Sequence, residues 1–224
     1  MAVSYNTKIV TNGLLAALDA ANPRSYPGSG TTVTDLSGHG ANGFLNGTVS
    51  FVGAGSASYW DFAVASDTSY IGSTLAQTYL DCTFAFYPDL SYNPGDTLVG
   101  LIASSTAATG YDDSLRFVTN GSSWSLSSRN PGDGNDWAYP SATTYYVNGA
   151  VSNTLVSGWN IFGGYRTNQT MFTAGNSFAY FLGSSGYPNR SFKGRIAVAL
   201  LYGRQLSPDE QMQNYYALRG RYGI

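Results

Sequence analysis

Apolar and polar residues alternate along most of this chain, and the alternation gives way to helical spacing only once, at its end. Short alternating or apolar runs, separated by clusters of Gly, Pro, Asn and Asp, predict strands over residues 14–19, 44–51, 58–62, 69–72, 82–87, 98–103, 115–119, 123–128, 144–147, 151–156, 160–165, 178–183 and 194–202. The last run, Arg195 to Tyr202, is almost continuously apolar, which predicts a strand covered on both faces. Gly203 ends it. Ser207 then precedes Glu210 by three residues with Pro208 between them, the spacing of a capping box. The helix that follows carries Met212, Tyr215, Tyr216 and Leu218 three and four apart, predicting one inward stripe, with Gly220 as its left-handed C-cap.

So many strands exceed what one sheet holds, and two stacked antiparallel sheets let each bury its apolar side. The expected fold is an all-β, two-sheet antiparallel jelly-roll β-sandwich with one short C-terminal α-helix, a single domain over residues 1–224. Asn120-Gly121 and Asn148-Gly149 each supply the positive-φ pair of a tight type I′ hairpin turn. Cys82 alternates onto the side of Phe84 and Phe86, which predicts a small buried hydrophobe. Residues 1–11 leave two readings open, an ordered first strand or an arm that docks on a neighbour.

Several of these segments form longer patterns. They are Phe192-x-Gly194-x-Ile196 leading into the apolar strand, Tyr202-x-Arg204-x-Leu206-Ser207-x-x-Glu210, and the Asn214-Tyr215-x-Ala217-Leu218 helix. Near the other end stand the run from Gly13 to Tyr26 and Thr34-Asp35-Leu36-Ser37-Gly38, and between them Tyr145-x-Val147-Asn148-Gly149. Together they resemble laminin-G-like jelly-roll domains of the concanavalin A-like superfamily, of the type found in bacteriophage particles. That superfamily hosts lectins, glycosidases, adhesion modules and virion proteins, so the resemblance implies a scaffold more than an activity.

Composition narrows the choice. Charged residues are 11% of the chain and the formal net charge is -2, leaving no basic stripe for nucleic acid or anionic lipid. No apolar run reaches the roughly 20 residues that span a bilayer. The N-terminus lacks the basic start and apolar centre of a secretory signal, and the single cysteine excludes an internal disulfide. The expected site of synthesis is the cytoplasm of a host, and the expected destination a virion.

Glycoside hydrolysis needs two carboxyl groups across the scissile bond. The catalytic branches of the superfamily use Glu-x-Asp-x-x-Glu, which is missing here, and the sole glutamate, Glu210, is committed by spacing to the cap. Asp112-Asp113 would face opposite sides of a strand. His39, the only histidine, sits in Ser37-Gly38-His39-Gly40, a turn by composition. The family's Phe-Asp-Gly segment is replaced by Trp60-Asp61-Phe62-Ala63. No catalytic residue is assigned, and the chain is expected not to be an enzyme.

Related domains bind calcium at the sandwich rim, and Asp133, Asn135 and Asp136 are the metal-ligand candidates, against a plain long turn. Aromatic residues are 15% of the chain, and Trp137, Tyr139 and Tyr111 with Asp112 are the candidates for stacking on a sugar or a partner. The leading expectation is a non-enzymatic virion subunit, a capsid decoration or tail accessory protein. It would bind other virion proteins as a trimer or other cyclic ring, with host glycans as a further ligand. The alternative is a carbohydrate-binding lectin module, free or on a fibre.

Overall fold

The computed structural model describes residues 8–64, 68–73, 79, 81–91, 98–104, 114–119, 124–129, 143–152, 154–166, 180–183 and 191–224. Among these, fifteen strands form two antiparallel sheets. They are β1 (Leu14–Asp19), β2 (Thr32–Val33), β3 (Gly43–Asn46), β4 (Ser50–Val52), β5 (Tyr59–Phe62), β6 (Tyr70–Gly72), β7 (Asp81–Pro88) and β8 (Leu98–Ser104). The rest are β9 (Ser114–Thr119), β10 (Trp124–Arg129), β11 (Thr143–Val147), β12 (Ala150–Val151), β13 (Asn160–Arg166), β14 (Tyr180–Leu182) and β15 (Gly194–Tyr202). One α-helix among the described residues, α1 (Pro208–Tyr222), follows β15, and a single 3-10 turn, Gly55–Ala57, lies between β4 and β5.

The first sheet runs β12-β11-β13-β7-β15-β5-β4, with β1 beside the second half of β15; the second runs β10-β9-β8-β14-β6-β3-β2. Alternation decides what each face of the first sheet meets. Cys82, Phe84 and Phe86 of β7, Trp60 and Phe62 of β5, and Ile196, Ala199 and Leu201 of β15 fill the space between the sheets. Ala85, Val198, Leu200 and Tyr202 point the other way and are covered by Leu218 and Tyr222 of α1. The near-continuous apolar run of β15 follows from this position, since one face meets the core and the other meets the helix.

The sandwich, the terminal helix and the burial of Cys82 agree with the sequence reading, while several boundaries do not. Residues 44–51 are two strands in different sheets, because the chain crosses over at Gly47, where a Cβ would lie 2.5 Å from the Thr68 carbonyl oxygen. The strand expected over 151–156 ends at Val151. Beyond it, Asn160 turns its carboxamide onto the Val156 N–H and the Val156 and Gly158 carbonyls, which bends the segment. The Asn148-Gly149 turn is type I′ as read, with both φ angles positive and Val147 opposite Ala150. Strands β9 and β10 also pair antiparallel, Thr119 opposite Trp124, and the Asn120-Gly121 turn between them lies outside the described residues.

The helix begins as the spacing predicts. The Glu210 N–H donates to Ser207 Oγ, and the Ser207 N–H donates to Glu210 Oε2. It ends later than expected: Gly220 is helical, and the left-handed cap is Gly223, at φ 72°. The extra turn buries Tyr222 and carries Arg221 to Asp19, with guanidinium-carboxylate distances of 2.7 and 2.9 Å. The inward stripe also differs. It is Gln211, Asn214, Leu218 and Tyr222, while Tyr216 is 49% exposed and Tyr215 packs over Gly149.

Candidate functional site

The residues singled out for binding, Trp137, Tyr139, Tyr111 and Asp112, and those singled out for calcium, Asp133, Asn135 and Asp136, lie outside the described residues. Among the described residues no three His, Cys, Asp or Glu side chains come together as a metal site. No helix among them is long and apolar enough to cross a membrane. His39 stands exposed in its turn, its N–H donating to Ser37 Oγ.

Three carboxylates have structural employment. Asp35, in the Thr34-to-Gly38 segment, accepts from the N–H groups of Ala17, Ser37 and Ala41 and from the Ser37 hydroxyl, so one buried side chain organises the loop against β1. Glu210 faces Arg204 through both oxygens, and this pairing with the Ser207 N–H holds its carboxyl at about 2. Asp81, at the start of β7, is fully buried beneath α1. Its Oδ1 accepts from Gln211 Nε2 and its Oδ2 from the Leu206 N–H, both at 2.8 Å. Burial raises its carboxyl to about 8, against the opposing pull of those donors.

The rest of the helix underside is also polar. Asn214 donates to Thr83 Oγ1 and to the Tyr202 hydroxyl, and accepts from the Val10 N–H; the Tyr202 hydroxyl donates to the Val10 carbonyl. The Lys8 carbonyl and the Val10 N–H are thereby bonded to the chain's own helix, and the rest of the N-terminal segment, residues 1–7, lies outside the described residues. Gly163 on β13 makes room for Gln211, since a Cβ there would fall 1.9 Å from Gln211 Oε1. This network is closed off and has the character of a latch.

Beyond the C-terminal end of the helix, the same outer face carries a different surface. Tyr59 on β5, Arg195 on β15 and Tyr87 on β7 are neighbours across three strands; Arg195 is paired in register with Tyr87. The Arg195 guanidinium carbon lies 4.9 Å from the Tyr59 ring centroid and 5.0 Å from that of Tyr87, within cation-π range of both. Trp159 meets the same two rings edge-on, each at 5.9 Å, and stacks at 4.5 Å on Tyr222 from the last turn of α1. Tyr59, Tyr87, Trp159 and Arg195 are each half-buried. They form an aromatic platform with a cation set in it, held on strands and the helix terminus.

The sequence reading missed this platform. A signal was present in β5, where Tyr59 and Asp61 alternate with the core residues Trp60 and Phe62 and therefore face outward. What no local pattern shows is that β15 inserts between β5 and β7.

Solved structures share this architecture. The shared fold is a two-sheet antiparallel β-sandwich. Domain 4 of AbnA, an extracellular arabinanase from Geobacillus stearothermophilus, solved in complex with arabinotriose, is 15% identical with a TM-score of 0.57, covering 90% of this chain and 98% of that one. Trypanosoma rangeli sialidase is 12% identical with a TM-score of 0.54, and the match covers 95% of this chain and 33% of the sialidase. The binding domain of Paraclostridial Mosquitocidal Protein 1 is 14% identical with a TM-score of 0.52, over 92% of this chain and 52% of that one. The chain thus spans nearly all of the arabinanase domain but about a third of the sialidase. At these identities the likeness establishes fold alone. No family model and no curated protein matches the sequence.

Proposed function

We propose that this chain is a non-catalytic carbohydrate-binding module whose sugar-facing surface is the Tyr59-Tyr87-Trp159 platform. The observation that carries this reading is the assembly of three half-buried rings, two on strands of the first sheet and one just before β13, outside the core between the sheets. Flat rings offer large contact area at small entropic cost, and their hydroxyls bond outward. The arabinanase domain supports it as a neighbour of matching extent solved with an oligosaccharide. The carboxylates Asp81 and Glu210, both strongly shifted, are engaged in holding the helix, which favours binding over hydrolysis.

The test is a glycan array followed by calorimetry on the wild type, Tyr59→Ala and Tyr87→Ala, with thermal melts to confirm folding. Folded variants should lose about tenfold or more in affinity, the effect of removing one stacking ring together with its neighbours' packing. Unchanged affinity in both variants, or a wild type that retains no glycan, would discard the reading.

The sequence pattern favours a narrower reading, a virion accessory subunit carrying such a module on the particle surface and assembled as a cyclic ring. Its test is separate: the tagged chain should co-sediment with purified particles. A chain that stays in the soluble fraction defeats that reading and leaves the binding module standing.

A further inference from the structure

We infer that Arg195 is an anion receptor within the platform and that the preferred ligand is a glycan bearing a carboxylate. The inference rests on the glycan-binding reading and adds the charge of the sugar to it.

Arg195 is set apart by comparison with the other basic residues. Three described basic side chains besides Arg195 are half withdrawn from water, and each has a carboxylate. Arg204 pairs with Glu210, Arg221 with Asp19 at 2.7 Å, and Lys193 with Asp89 at 3.1 Å. Lys8, Arg24 and Arg219 are exposed, Arg219 lying over the Tyr215 and Tyr216 rings on the water side of the helix. Arg195 is half-buried like the first group, yet among the described residues it has neither an ion pair nor a hydrogen-bond acceptor. Asp61, its register partner on β5, makes no ion pair with it. A cation partly removed from water costs free energy unless something compensates it. The Tyr59 and Tyr87 rings compensate in part by receiving the guanidinium within 5.0 Å of their centroids.

That arrangement has a directional consequence. A guanidinium over aromatic faces keeps its five N–H donors in the plane of the group, where they match the two oxygens of a carboxylate. The rings restrict its rotation, so less entropy is lost when the bidentate pair forms. The same rings lie beside the place where the sugar carrying that carboxylate would rest.

The experiment uses the intact chain with three probes: an oligogalacturonate, the same oligomer as its methyl ester, and a neutral arabino-oligosaccharide. Wild type, Arg195→Gln and Arg195→Lys are compared by calorimetry at low and moderate salt, after melts confirm folding. The wild type should bind the acid at least about tenfold more tightly than the ester, a preference that shrinks with salt. Arg195→Gln should erase that preference, so that acid and ester bind alike whatever the overall affinity of the variant, and Arg195→Lys should keep only part of it. Equal binding of acid and ester by the wild type, or an acid preference that survives in Arg195→Gln, overturns the inference while sparing the glycan-binding reading. Failure to bind any of the three probes or any arrayed glycan overturns both.

Discussion

Replacing Asp81 by asparagine keeps the shape of the side chain beneath α1 and removes the one carboxyl group of the buried network. The wild-type carboxyl is raised to about 8 chiefly by burial, with the Leu206 N–H, the Gln211 amide, the Cys82 N–H and Arg204 pulling the other way. In the unfolded chain the same group titrates near 3.9. Between those values the folded protein holds a proton that the unfolded chain has released. Stability from this group is therefore fully present below about pH 4 and is lost as the pH rises through about 8. From pH 6 to pH 9 the loss amounts to about 3 kcal/mol, at about 1.4 kcal/mol per pH unit until the folded group itself ionises near pH 8.

Asp81→Asn cannot titrate, and its amide still offers an acceptor to the Leu206 N–H while Gln211 turns to receive the new donor. Titratable groups remote from Asp81 are common to both proteins and drop out of the difference between them, and the neighbours Cys82, Tyr202 and Arg204 have raised values, which keeps their own titration above the range followed. Urea unfolding followed by tryptophan fluorescence at pH 6, 7, 8 and 9 gives that difference directly. The stability of Asp81→Asn relative to wild type should rise by about 3 kcal/mol from pH 6 to pH 9, with equal m-values. Parallel curves, or a wild type that gains on the variant as the pH rises, would refute the reasoning.

Gly220→Ala should stabilise by about 0.5–1 kcal/mol, because Gly220 is helical and a Cβ there meets open space, whereas Gly223→Ala should destabilise by about 1 kcal/mol at the left-handed cap; thermal melts that rank the two the other way would place the helix end wrongly. Asp35→Ala should cost about 3 kcal/mol in chemical denaturation, since it strands the N–H groups of Ala17, Ser37 and Ala41 together. Glu210 has a lowered carboxyl, so the stability it contributes is present above about pH 4.5 and is lost as the pH falls toward about 2. Circular-dichroism melts should then show Glu210→Gln below wild type at pH 6 and level with it near pH 2, and a gap independent of pH would exclude the ion pair as its cause.

Local chemistry made the ends of elements legible: the capping box at Ser207 and Glu210 and the Asn148-Gly149 turn are each written within a few residues. Where chain segments distant in sequence meet, the same patterns misled. The apolar-stripe rule selected Tyr216 for burial and passed over Asn214, because Asn214 becomes an inward residue only once Thr83, Tyr202 and Val10 arrive to bond it. Gly220 looked like a terminus, but the contact between Trp159 and Tyr222 and the pair between Asp19 and Arg221 favour another turn. The platform was hidden for the same reason. Tyr59, Tyr87 and Arg195 belong to strands far apart in the chain, and only the strand order of the first sheet sets them side by side.

That order links the two functional readings of the outer face to a single element. A helix of 15 residues extends roughly 22 Å, enough to reach from the Asp81 latch to the aromatic platform. At its start, the cap, the Arg204-Glu210 pair and the Asp81-Gln211 bond hold α1 against β7; at its end, the turn beyond Gly220 presses Tyr222 onto Trp159. Trp159 in turn abuts Tyr59 and Tyr87, whose rings hold the guanidinium of Arg195. The helix that covers one part of the sheet also buttresses the rings on the part it leaves open. Shortening it at Gly220 should therefore loosen the Arg195 clamp as well as lower stability, while a change at the Asp81 latch that leaves the last turn seated should alter stability alone.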